Sequence, residues 1–270
     1  MTTLDTEAVA EKVLAALDAR SQVAPFTDQD PAFSPEQAYA VTAHLRQRRT
    51  ARGEKHAGRK IGFTNRGIWQ QYNVTAPIWG DMFDTTVRDL SQSKTLSLAS
   101  FVEPRIEPEI VFKLSRDVKP DADEAELLAS TAWIAHGFEI VQSIYPDWRF
   151  HGADVIAAGG VHGVLLLGPQ HPVAALGPDV KDALVDFSVT LSCNGKVMDR
   201  GKGVNVLGGP LSALRHLVEV LGRDRFNPPL RAGEVVTTGT LTAAFPIAPG
   251  EKWSTSIEGI ALEGIAVEFT

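Results

Sequence analysis

The chain has 270 residues, of which 44% are hydrophobic and 22% are charged, so it can bury a sizeable core and is not disordered by composition. Its formal net charge of −7, with no extended block of basic residues, argues against a nucleic acid or an anionic membrane as the main partner. The single cysteine, Cys193, excludes an intramolecular disulfide framework and a cysteine-based zinc cluster.

The start of the chain lacks the features of an exported or membrane-anchored protein. Residues 1–7 carry no positive region followed by an apolar core, as a signal peptide would. The longest strongly apolar stretch, residues 161–168, is far shorter than the roughly 20 residues that cross a bilayer. We therefore expect a soluble, cytoplasmic protein.

Apolar residues at helical spacing predict a first helix near the start of the chain. Val9, Val13 and Leu17 would lie on one face of this helix. Either Asp5 or Thr6 is available as its N-terminal cap.

A second helix is predicted from a sequence signature of helix N-termini. Ser34 fits the N-cap, Pro35 fits the first helical position, and Gln37 completes a capping box. The helix ends in the basic stretch 46–52, which we interpret as a solvated helix end that is favourable to the helix dipole.

Short β-type runs dominate the chain from residue 60 onwards, and glycine and proline clusters separate them. The predicted strands cover residues 60–63, 105–114, 139–143, 164–167, 184–193, 234–238 and 253–269. Two helices interrupt them, one over residues 123–136 and one that begins at Pro210, and Asn194-Gly195 predicts a hairpin turn. The sequence thus predicts an α+β fold with a helical N-terminal part of residues 1–59 and a β-rich core of residues 60–270.

An acidic strand over residues 101–114 is the most informative segment for function. Because side chains alternate along a strand, its apolar residues share one face and its charged residues share the other: Glu103, Arg105, Glu107 and Glu109. Neighbouring carboxylates repel each other unless a positive charge lies between them. Pro108 cannot donate a hydrogen bond to a neighbouring strand, so we expect this stretch at a sheet edge or a bulge.

Two interpretations of the acidic face are open from spacing alone. The first is a solvent-exposed edge strand whose charges deter aggregation. The second is a site for a divalent cation, because hard cations such as Mg²⁺, Mn²⁺ or Ca²⁺ prefer oxygen ligands. Glu139 favours the second, since a glutamate inside an apolar run is rarely buried without a partner.

The segments RIEPEIVF at 105–112 and GFEIV at 137–141 resemble the fumarylacetoacetate hydrolase superfamily. Within it, the chain is most similar to the branch of 2-keto-4-pentenoate hydratases and 4-oxalocrotonate decarboxylases. Further segments match in order and spacing over residues 35–270: GRKIGFT at 58–64, PIWGD at 77–81, NGKV at 194–197, VLGGPLSAL at 206–214 and AGEVVTTGTLT at 232–242. The helical N-terminal part also suits this branch.

The resemblance implies a mixed-β core built around a rolled sheet, with a metal site in its middle. It implies that Glu107, Glu109 and Glu139 are the ligands of Mg²⁺ or Mn²⁺. Lys60 falls on the family's active-site lysine, and Asp81 lies near the family's acidic residue after a Pro-x-x-Gly turn. Both are therefore candidate catalytic residues.

The chemistry implied by this resemblance is that of a metal-dependent lyase. A 2-oxo or 2-enol acid can chelate the cation through its C1 carboxylate and C2 oxygen, and the cation stabilises negative charge on that oxygen. We expect a hydratase of a 2-hydroxy-2,4-dienoate from aromatic-compound degradation, with Lys60 transferring protons at a pKa lowered by the dication. The alternatives are a decarboxylase of a 4-oxalocrotonate-like 2-oxo diacid, an acylpyruvate carbon–carbon hydrolase, and a non-catalytic partner subunit of a hydratase–decarboxylase complex.

One segment departs from the pattern of the family's hydratases. Where they carry a stretch like Ala-Asp-Asn-Ala-Ser, this chain has Ala158, Gly159 and Val161, so the polar groups that would orient substrate or water are missing there. His162 is a candidate replacement for these groups, and a pocket widened for a bulkier substrate is the alternative. Their loss also favours the decarboxylase, which needs no positioned water.

The remaining expectations concern the substrate and the partners. Thr240 lies in a turn that borders the metal pocket in the family, and we expect Thr240 and Arg105 to bind the substrate. His136 and His151 are expected to be structural or surface residues. The expected partner is a small 2-oxo or 2-enol acid, and we expect a homo-oligomer, with a complex with a related enzyme of the pathway as a further option.

Overall fold

The computed structural model of the protein describes residues 4–70 and 72–270, without the side chain of Ile68. The expectation about a signal peptide falls partly on residues 1–3, which lie outside the described residues. Within the described ranges, no helix is long and apolar enough to cross a membrane.

Three α-helices open the described chain, and the later helices lie between strands. The α-helices are α1 (Thr6–Ala19), α2 (Phe26–Gln29), α3 (Pro35–Ala51), α4 (Glu124–Ala129), α5 (Gly152–Ala157), α6 (Val180–Asp186) and α7 (Pro210–Leu221). The strands are β1 (His56–Gly62), β2 (Ile78–Phe83), β3 (Val87–Asp89), β4 (Thr95–Leu96), β5 (Arg105–Leu114), β6 (Thr131–Val141), β7 (His162–Pro172), β8 (Ser188–Cys193), β9 (Lys196–Lys202), β10 (Val235–Thr237), β11 (Phe245–Pro246), β12 (Lys252–Glu258) and β13 (Ala266–Phe269).

Helices α1 and α3 begin where the sequence predicts. Asp5 caps α1 by accepting a hydrogen bond from the backbone N–H of Glu7 at 3.0 Å. Ser34 caps α3 and Gln37 completes the capping box, with reciprocal hydrogen bonds of 3.3 Å and 2.9 Å. The apolar faces of both helices pack with α5 in one hydrophobic cluster that also includes Ile78 of the sheet. The division of the chain into residues 1–59 and 60–270 stays a prediction.

A mixed sheet of eight strands forms the core and carries the candidate site. Its order is β2-β1-β10-β5-β6-β7-β3, and β11 pairs with the start of β5. The β1–β10 and β3–β7 pairs are parallel, and the remaining pairs are antiparallel. The register of β5 on β6 sets Glu107 directly opposite Glu139. The predicted α+β fold with a rolled, mixed-β core is confirmed.

A second sheet of five strands, in the order β4-β13-β12-β8-β9, packs against the first. Trp253 and Phe269 of this sheet share a buried cluster with Phe138 of the main sheet. Strands β8 and β9 are joined through Asn194 and Gly195, whose φ angles of 50° and 80° both lie in the left-handed region. The predicted hairpin turn is therefore confirmed.

The predicted helix over residues 123–136 is wrong beyond Ala129. Helix α4 ends at that residue, and Thr131 begins strand β6. In the register of β6 on β5, Ile134 lies opposite Phe112, and both side chains are fully buried. Pairing with a buried strand stabilises an extended conformation that outweighs the helical spacing of a few apolar residues.

Two predicted strands contain other structure. Residues 184–186 belong to helix α6, because Leu184 points into the core cluster that α7 also fills. The run 253–269 is divided into β12 and β13, and Gly259 follows β12 with a φ of 91° that a glycine adopts readily.

Pro108 lies in an interior strand, so the expected position at an edge or bulge is wrong. Strand β5 pairs with β6 on one side and with β10 and β11 on the other. The Pro108 carbonyl accepts a hydrogen bond of 2.9 Å from the N–H of Leu241, in the gap between β10 and β11. Since the N and C=O of a strand residue point the same way, the missing donor of Pro108 faces this gap and no ladder bond is lost.

The cap of α3 provides a test of the fold. Ser34→Ala should lower the free energy of unfolding by about 1 kcal/mol, because the N–H of Gln37 loses its partner. Chemical denaturation followed by circular dichroism measures the change. Ser21→Ala, at an exposed position, is the control and should change the free energy by less than about 0.5 kcal/mol. Equal stability of the Ser34→Ala protein and the wild type would contradict the capping role.

Candidate metal and active site

Three glutamates from two neighbouring strands meet inside the main sheet. Glu107 and Glu109 project from one face of β5, and Glu139 projects from β6 opposite Glu107. One carboxylate oxygen from each residue lies within 4.8 Å of the others. Glu109 and Glu139 are both 0% exposed, so the alternative of a solvent-exposed acidic edge is wrong. Glu103 does not share this face, because it precedes β5 with a φ of 46° and is exposed.

Different partners hold the two buried carboxylates. Glu109 Oε2 accepts a hydrogen bond of 2.7 Å from the backbone N–H of Gly239, whereas its Oε1 is buried without a hydrogen-bond partner in the described part of the chain. Glu139 Oε1 lies 2.8 Å from His162 Nδ1, and its Oε2 lies 3.1 Å from Lys60 Nζ. A buried carboxylate oxygen without a partner is costly, so Glu109 Oε1 indicates a position for an additional positive ligand.

Two glycines make room for these contacts. A Cβ atom on Gly239 would lie 2.0 Å from Thr64 Oγ1, and the φ of Gly239 is +95°. A Cβ atom on Gly160, whose φ is +71°, would lie 2.8 Å from Lys60 Cδ. Both positions require glycine because the backbone approaches a side chain of the site closely in a left-handed conformation.

Burial and charge shift the pKa values of the cluster in opposite directions. Burial raises the pKa of Glu107 to about 7 and raises the pKa of Glu109 well above its usual value. Burial would also raise the pKa of Glu139, but Lys60 and His162 outweigh it and lower this pKa to about 2. Burial lowers the pKa of Lys60, but the three carboxylates outweigh burial and raise it above its usual value. The site therefore consists of one ion pair and two carboxyl groups that need more positive charge to ionise.

A cavity of about 110 Å³ opens beside the cluster. Its polar lining includes Lys60, Glu107, Arg105 and Thr240. The guanidinium of Arg105 lies 4.2 Å from the ring centre of Trp148 and forms no salt bridge with a residue that the structure describes. Arg105 thus offers a positive charge to an anionic group inside the cavity. The lysine, the arginine, the threonine and the acidic cluster of the sequence analysis are brought together here.

Apolar side chains close the rest of the cavity, and the sequence analysis did not identify them. Tyr72 stacks on Phe150 with ring centroids 5.3 Å apart, and Trp148 packs on Phe150 at 6.0 Å. The other apolar lining residues come from several elements and loops: Phe63, Ile78, Val141, Val155, Val161 and Ala244. The only sequence signal for this wall was the concentration of aromatic residues between positions 145 and 150.

Asp81 is not brought to the cavity. It lies in β2 opposite the residue that precedes Lys60 in β1, so Asp81 and Lys60 project from opposite faces of the sheet. Asp81 instead lies 2.8 Å from His56 Nε2 and 3.3 Å from Arg46 Nε. The residue of β2 that lines the cavity is Ile78. This geometry does not support the expected catalytic role of Asp81.

His162 lies behind Glu139 and is not among the residues that line the cavity. Its Nδ1 contacts Glu139, and its Nε2 lies 3.0 Å from Thr86 Oγ1. Burial lowers the pKa of His162, which favours the neutral imidazole. His162 therefore does not replace the polar groups that are missing at this turn, where Val161 lines the cavity.

Two further histidines have structural contacts. His136 Nδ1 lies 2.9 Å from the carbonyl oxygen of Glu109, and its Nε2 lies 2.9 Å from Thr255 Oγ1. Because a carbonyl only accepts, Nδ1 carries the proton. His151 is exposed and stands at the N-terminus of α5, where its backbone N–H donates to Asp154 at 2.9 Å.

The donor set of this cluster fits a hard divalent cation. It supplies three carboxylates with ligand oxygens within 4.8 Å of one another. Among the described residues, Glu109 Oε1 and Glu139 Oε2 are buried without a hydrogen-bond partner, and only Glu139 Oε2 has an ion pair, with Lys60. Mg²⁺, Mn²⁺ and Ca²⁺ take such oxygen ligands, whereas Zn²⁺ sites in proteins favour sulfur and nitrogen.

Comparisons with known proteins match most of the chain. Residues 64–264 match the family model described as fumarylacetoacetate (FAA) hydrolase C-terminal. The chain is 33% identical to 2-hydroxyhexa-2,4-dienoate hydratase of Comamonas testosteroni over 265 residues, which cover 98% of this chain and 97% of that protein. It is 31% identical to 2-keto-4-pentenoate hydratase of Paraburkholderia xenovorans (strain LB400) over 270 residues, with coverage of 100% and 96%.

The fold is similar to that of a solved decarboxylase. The structure of 4-oxalocrotonate decarboxylase from Pseudomonas putida G7, complexed with magnesium and adipate, superposes with a TM-score of 0.89 at 25% identity. The match covers 100% of both chains, so it includes the N-terminal helices as well as both sheets.

Removal of one buried carboxylate tests whether the cluster binds a cation. Substitution of a residue that only supports a metal ligand typically weakens metal affinity by roughly 10- to 100-fold. Glu109→Gln should weaken Mg²⁺ binding by more than this, because it removes the charge of a ligand itself. Isothermal titration calorimetry of metal-free protein measures the affinity. Glu103→Gln removes the same charge from an exposed residue just before β5 and should leave the affinity unchanged. Normal Mg²⁺ affinity of the Glu109→Gln protein would refute the ligand assignment.

Proposed function

Because the chain belongs to the fumarylacetoacetate hydrolase family, we propose that it is a divalent-metal-dependent hydratase that acts on a 2-hydroxy-2,4-dienoate. The observation that carries this proposal is the cluster of three carboxylates, two of them fully buried, with one buried lysine beside a small cavity. Similarity over nearly the whole chain to two hydratases named for such substrates supports the same reaction class.

The cation would be held by Glu107, Glu109 and Glu139, and we propose Mg²⁺ or Mn²⁺. When bound, such a cation is a Lewis acid that stabilises negative charge on the C2 oxygen of a substrate chelated through that oxygen and its C1 carboxylate. The magnesium in the similar decarboxylase structure supports a hard cation with oxygen ligands.

Lys60 is the group that transfers protons. Its Nζ lies 3.1 Å from Glu139, and the residue lines the cavity. Burial lowers the pKa of Lys60 and the three carboxylates raise it more strongly. Once the carboxylates bind a cation, their effect on Lys60 weakens, and burial then moves the pKa towards the range in which an amine exchanges protons near neutral pH.

The proposed reaction consumes one water molecule. Protonation of the dienol at C5, with loss of the proton from the C2 hydroxyl, gives a conjugated 2-oxo-3-enoate. The oxygen of water then bonds to C4 and loses one proton, and a proton is added at C3, which gives a 4-hydroxy-2-oxo acid. Lys60 delivers the proton at C5, and Arg105 binds the anionic end of the substrate. Thr240 borders the same end, but its hydroxyl donates to the Thr242 carbonyl at 3.0 Å and must turn to contact a carboxylate.

A decarboxylase of a 4-oxalocrotonate-like diacid is the second candidate. Two observations favour it: the fold similarity to such an enzyme, and the apolar Val161 at the turn where a water-orienting group was expected. The aromatic wall of Tyr72, Trp148 and Phe150 instead favours a substrate with a hydrocarbon tail, because the second carboxylate of a diacid would lose its hydration against these rings. We therefore retain the hydratase as the first candidate.

A carbon–carbon hydrolase and a non-catalytic partner subunit have less support. A hydrolase of this family would use a His–Glu pair to activate water, and two pairs have a His-x-x-Glu spacing, His136 with Glu139 and His216 with Glu219. The His136 imidazole is occupied by Glu109 and Thr255, and the second pair lies on α7 and does not line the cavity. A non-catalytic subunit would not need the buried lysine and carboxylates that this chain has.

We also propose that the chain forms a homo-oligomer. Val197 and Met198 are 47% and 37% exposed on β9, which is the edge strand of the second sheet. Covering such residues with another chain would remove apolar surface from water. A complex with a related enzyme of the same pathway stays a prediction.

Product analysis distinguishes the two leading reactions. Protein loaded with Mg²⁺ is incubated with 2-hydroxypenta-2,4-dienoate and, separately, with 4-oxalocrotonate, and the products are identified by NMR. The hydratase should convert the dienoate to 4-hydroxy-2-oxopentanoate. Loss of CO₂ from 4-oxalocrotonate without hydration of the dienoate would overturn the proposal in favour of the decarboxylase.

Replacement of the lysine separates proton transfer from metal binding. Lys60→Met should lower kcat by about 10²- to 10⁴-fold, the usual contribution of a general acid or base. Its Mg²⁺ affinity should stay equal or rise, because a positive charge leaves the cation's surroundings. Absorbance decay of the dienoate and calorimetry provide the two measurements. Lys55→Met, an exposed neighbour, is the matched control, and an unchanged kcat of the Lys60→Met protein would remove this residue from the mechanism.

A further inference from the structure

The contact between His162 and Glu139 links the candidate metal site to a residue outside the cavity. His162 begins β7, which lies beside β6 in the sheet, and its imidazole fills the space between Glu139 and Thr86. Thr86 follows β2 in a 3₁₀ turn, and its hydroxyl also contacts the backbone of Phe83. Three separate segments of the chain thus meet at this histidine.

The chemistry of the two partners determines the direction of these hydrogen bonds. The ionised carboxylate of Glu139 can only accept, so the proton of the neutral imidazole lies on Nδ1 and is donated to Glu139 Oε1 at 2.8 Å. The Thr86 hydroxyl has one hydrogen to donate, and it lies 3.1 Å from the Phe83 carbonyl oxygen and 3.0 Å from His162 Nε2. With the imidazole proton on Nδ1, Nε2 is an acceptor, so we assign this hydrogen to Nε2. The hydroxyl therefore holds the imidazole in the tautomer that donates to the glutamate.

The Glu139 carboxylate has a second partner, Lys60, at its other oxygen. Lys60 Nζ lies 3.1 Å from Glu139 Oε2, whereas His162 binds Oε1. A carboxylate held at both oxygens cannot rotate, and each oxygen keeps a second lone pair for a cation. Without His162, Glu139 would be free to turn towards Lys60 and away from Glu107 and Glu109.

We propose that His162, held by Thr86, is a positioning residue that orients Glu139 for cation binding and thereby sets the affinity of the site for its divalent cation. This inference rests on the proposed function, because it takes the three glutamates as the ligands. His162 does not line the cavity. Its effect on the reaction passes through the orientation of Glu139.

Two amides that mimic opposite sides of the imidazole provide a matched test. In His162→Asn, the shorter side chain would place its amide where Nδ1 lies, so it can still donate to Glu139. In His162→Gln, the longer side chain would carry its amide to the position of Nε2, so it keeps the contact with Thr86 and loses the contact with Glu139. Both variants are uncharged, and glutamine matches the length of histidine more closely than asparagine does.

The measurement is metal affinity of the full chain after removal of bound metal. Free Mn²⁺ is followed by electron paramagnetic resonance, and Mg²⁺ binding is followed by calorimetry. His162→Gln should weaken both affinities by about 10- to 100-fold, as other losses of a group that orients a ligand do. His162→Asn should stay within about threefold of the wild type, even if its melting temperature is lower. If His162 only filled space, His162→Asn should lose more metal affinity than His162→Gln, because asparagine leaves the larger void.

Thr86→Val keeps the side-chain volume and removes the hydroxyl. It therefore tests whether the contact of Thr86 with His162 Nε2 contributes to metal affinity. We expect an affinity loss smaller than that of His162→Gln, because Nδ1 still faces Glu139. If His162→Asn does not fold, the comparison of His162→Gln with Thr86→Val decides the question. Wild-type affinity of the His162→Gln protein, or equal losses in His162→Gln and His162→Asn, would overturn the inference. Absence of metal binding in the wild type itself would instead refute the proposed function.

Discussion

The site depends on one electrostatic constraint, which is that three carboxylates, two fully buried and one half-buried, lie together with a single ammonium group. Glu107, Glu109 and Glu139 approach within 4.8 Å of one another, and Lys60 pairs with only one of them. If all three ionise, two negative charges remain without a buried partner. Protonation of Glu107 and Glu109 would remove these charges, and the raised pKa values of both residues reflect this tendency. A cation of charge +2 would instead neutralise them.

The surrounding fold maintains this arrangement against its electrostatic cost. The antiparallel register of β5 on β6 sets Glu107 opposite Glu139, and a shift of one residue would move the glutamates of β5 to the other face. Gly239 brings a backbone N–H to Glu109, and Gly160 leaves space for the stem of Lys60. Hydrophobic packing on both faces of the sheet stabilises the fold and offsets this unfavourable electrostatic free energy.

Part of this organisation could be predicted from local sequence patterns. The period of two along β5 predicted that Glu107 and Glu109 share a face, and the capping box at Ser34 predicted the start of α3. The apolar run around Glu139 indicated a third carboxylate with a partner, and the resemblance to a known family then added Lys60 and assigned the three glutamates to one metal site.

The remaining features depend on contacts between distant segments. Asp81 was expected to be catalytic with Lys60, but the register of β2 on β1 directs it to the opposite face. His162 was expected at the substrate, but β7 places it behind Glu139, where its partner Thr86 comes from a turn with no distinctive sequence. Residues 131–136 have the apolar spacing of a helix, and only their pairing with β5 makes them a strand.

The cavity explains how one metal site can serve several reactions. Its polar end, with Lys60 and Arg105, would suit the 2-oxo or 2-enol acid group of the proposed substrates, whereas its apolar end would contact the substrate's tail. Under the proposed function, the choice of reaction would depend on the groups around the tail and on the position of water more than on the carboxylate cluster.

The most direct test of the account is to locate the cation itself. Crystals of the protein grown with Mn²⁺ would give anomalous difference density at the manganese absorption edge. The account predicts one strong peak in contact with carboxylate oxygens of Glu107, Glu109 and Glu139. Density at another position, or none at these three residues under saturating Mn²⁺, would contradict it.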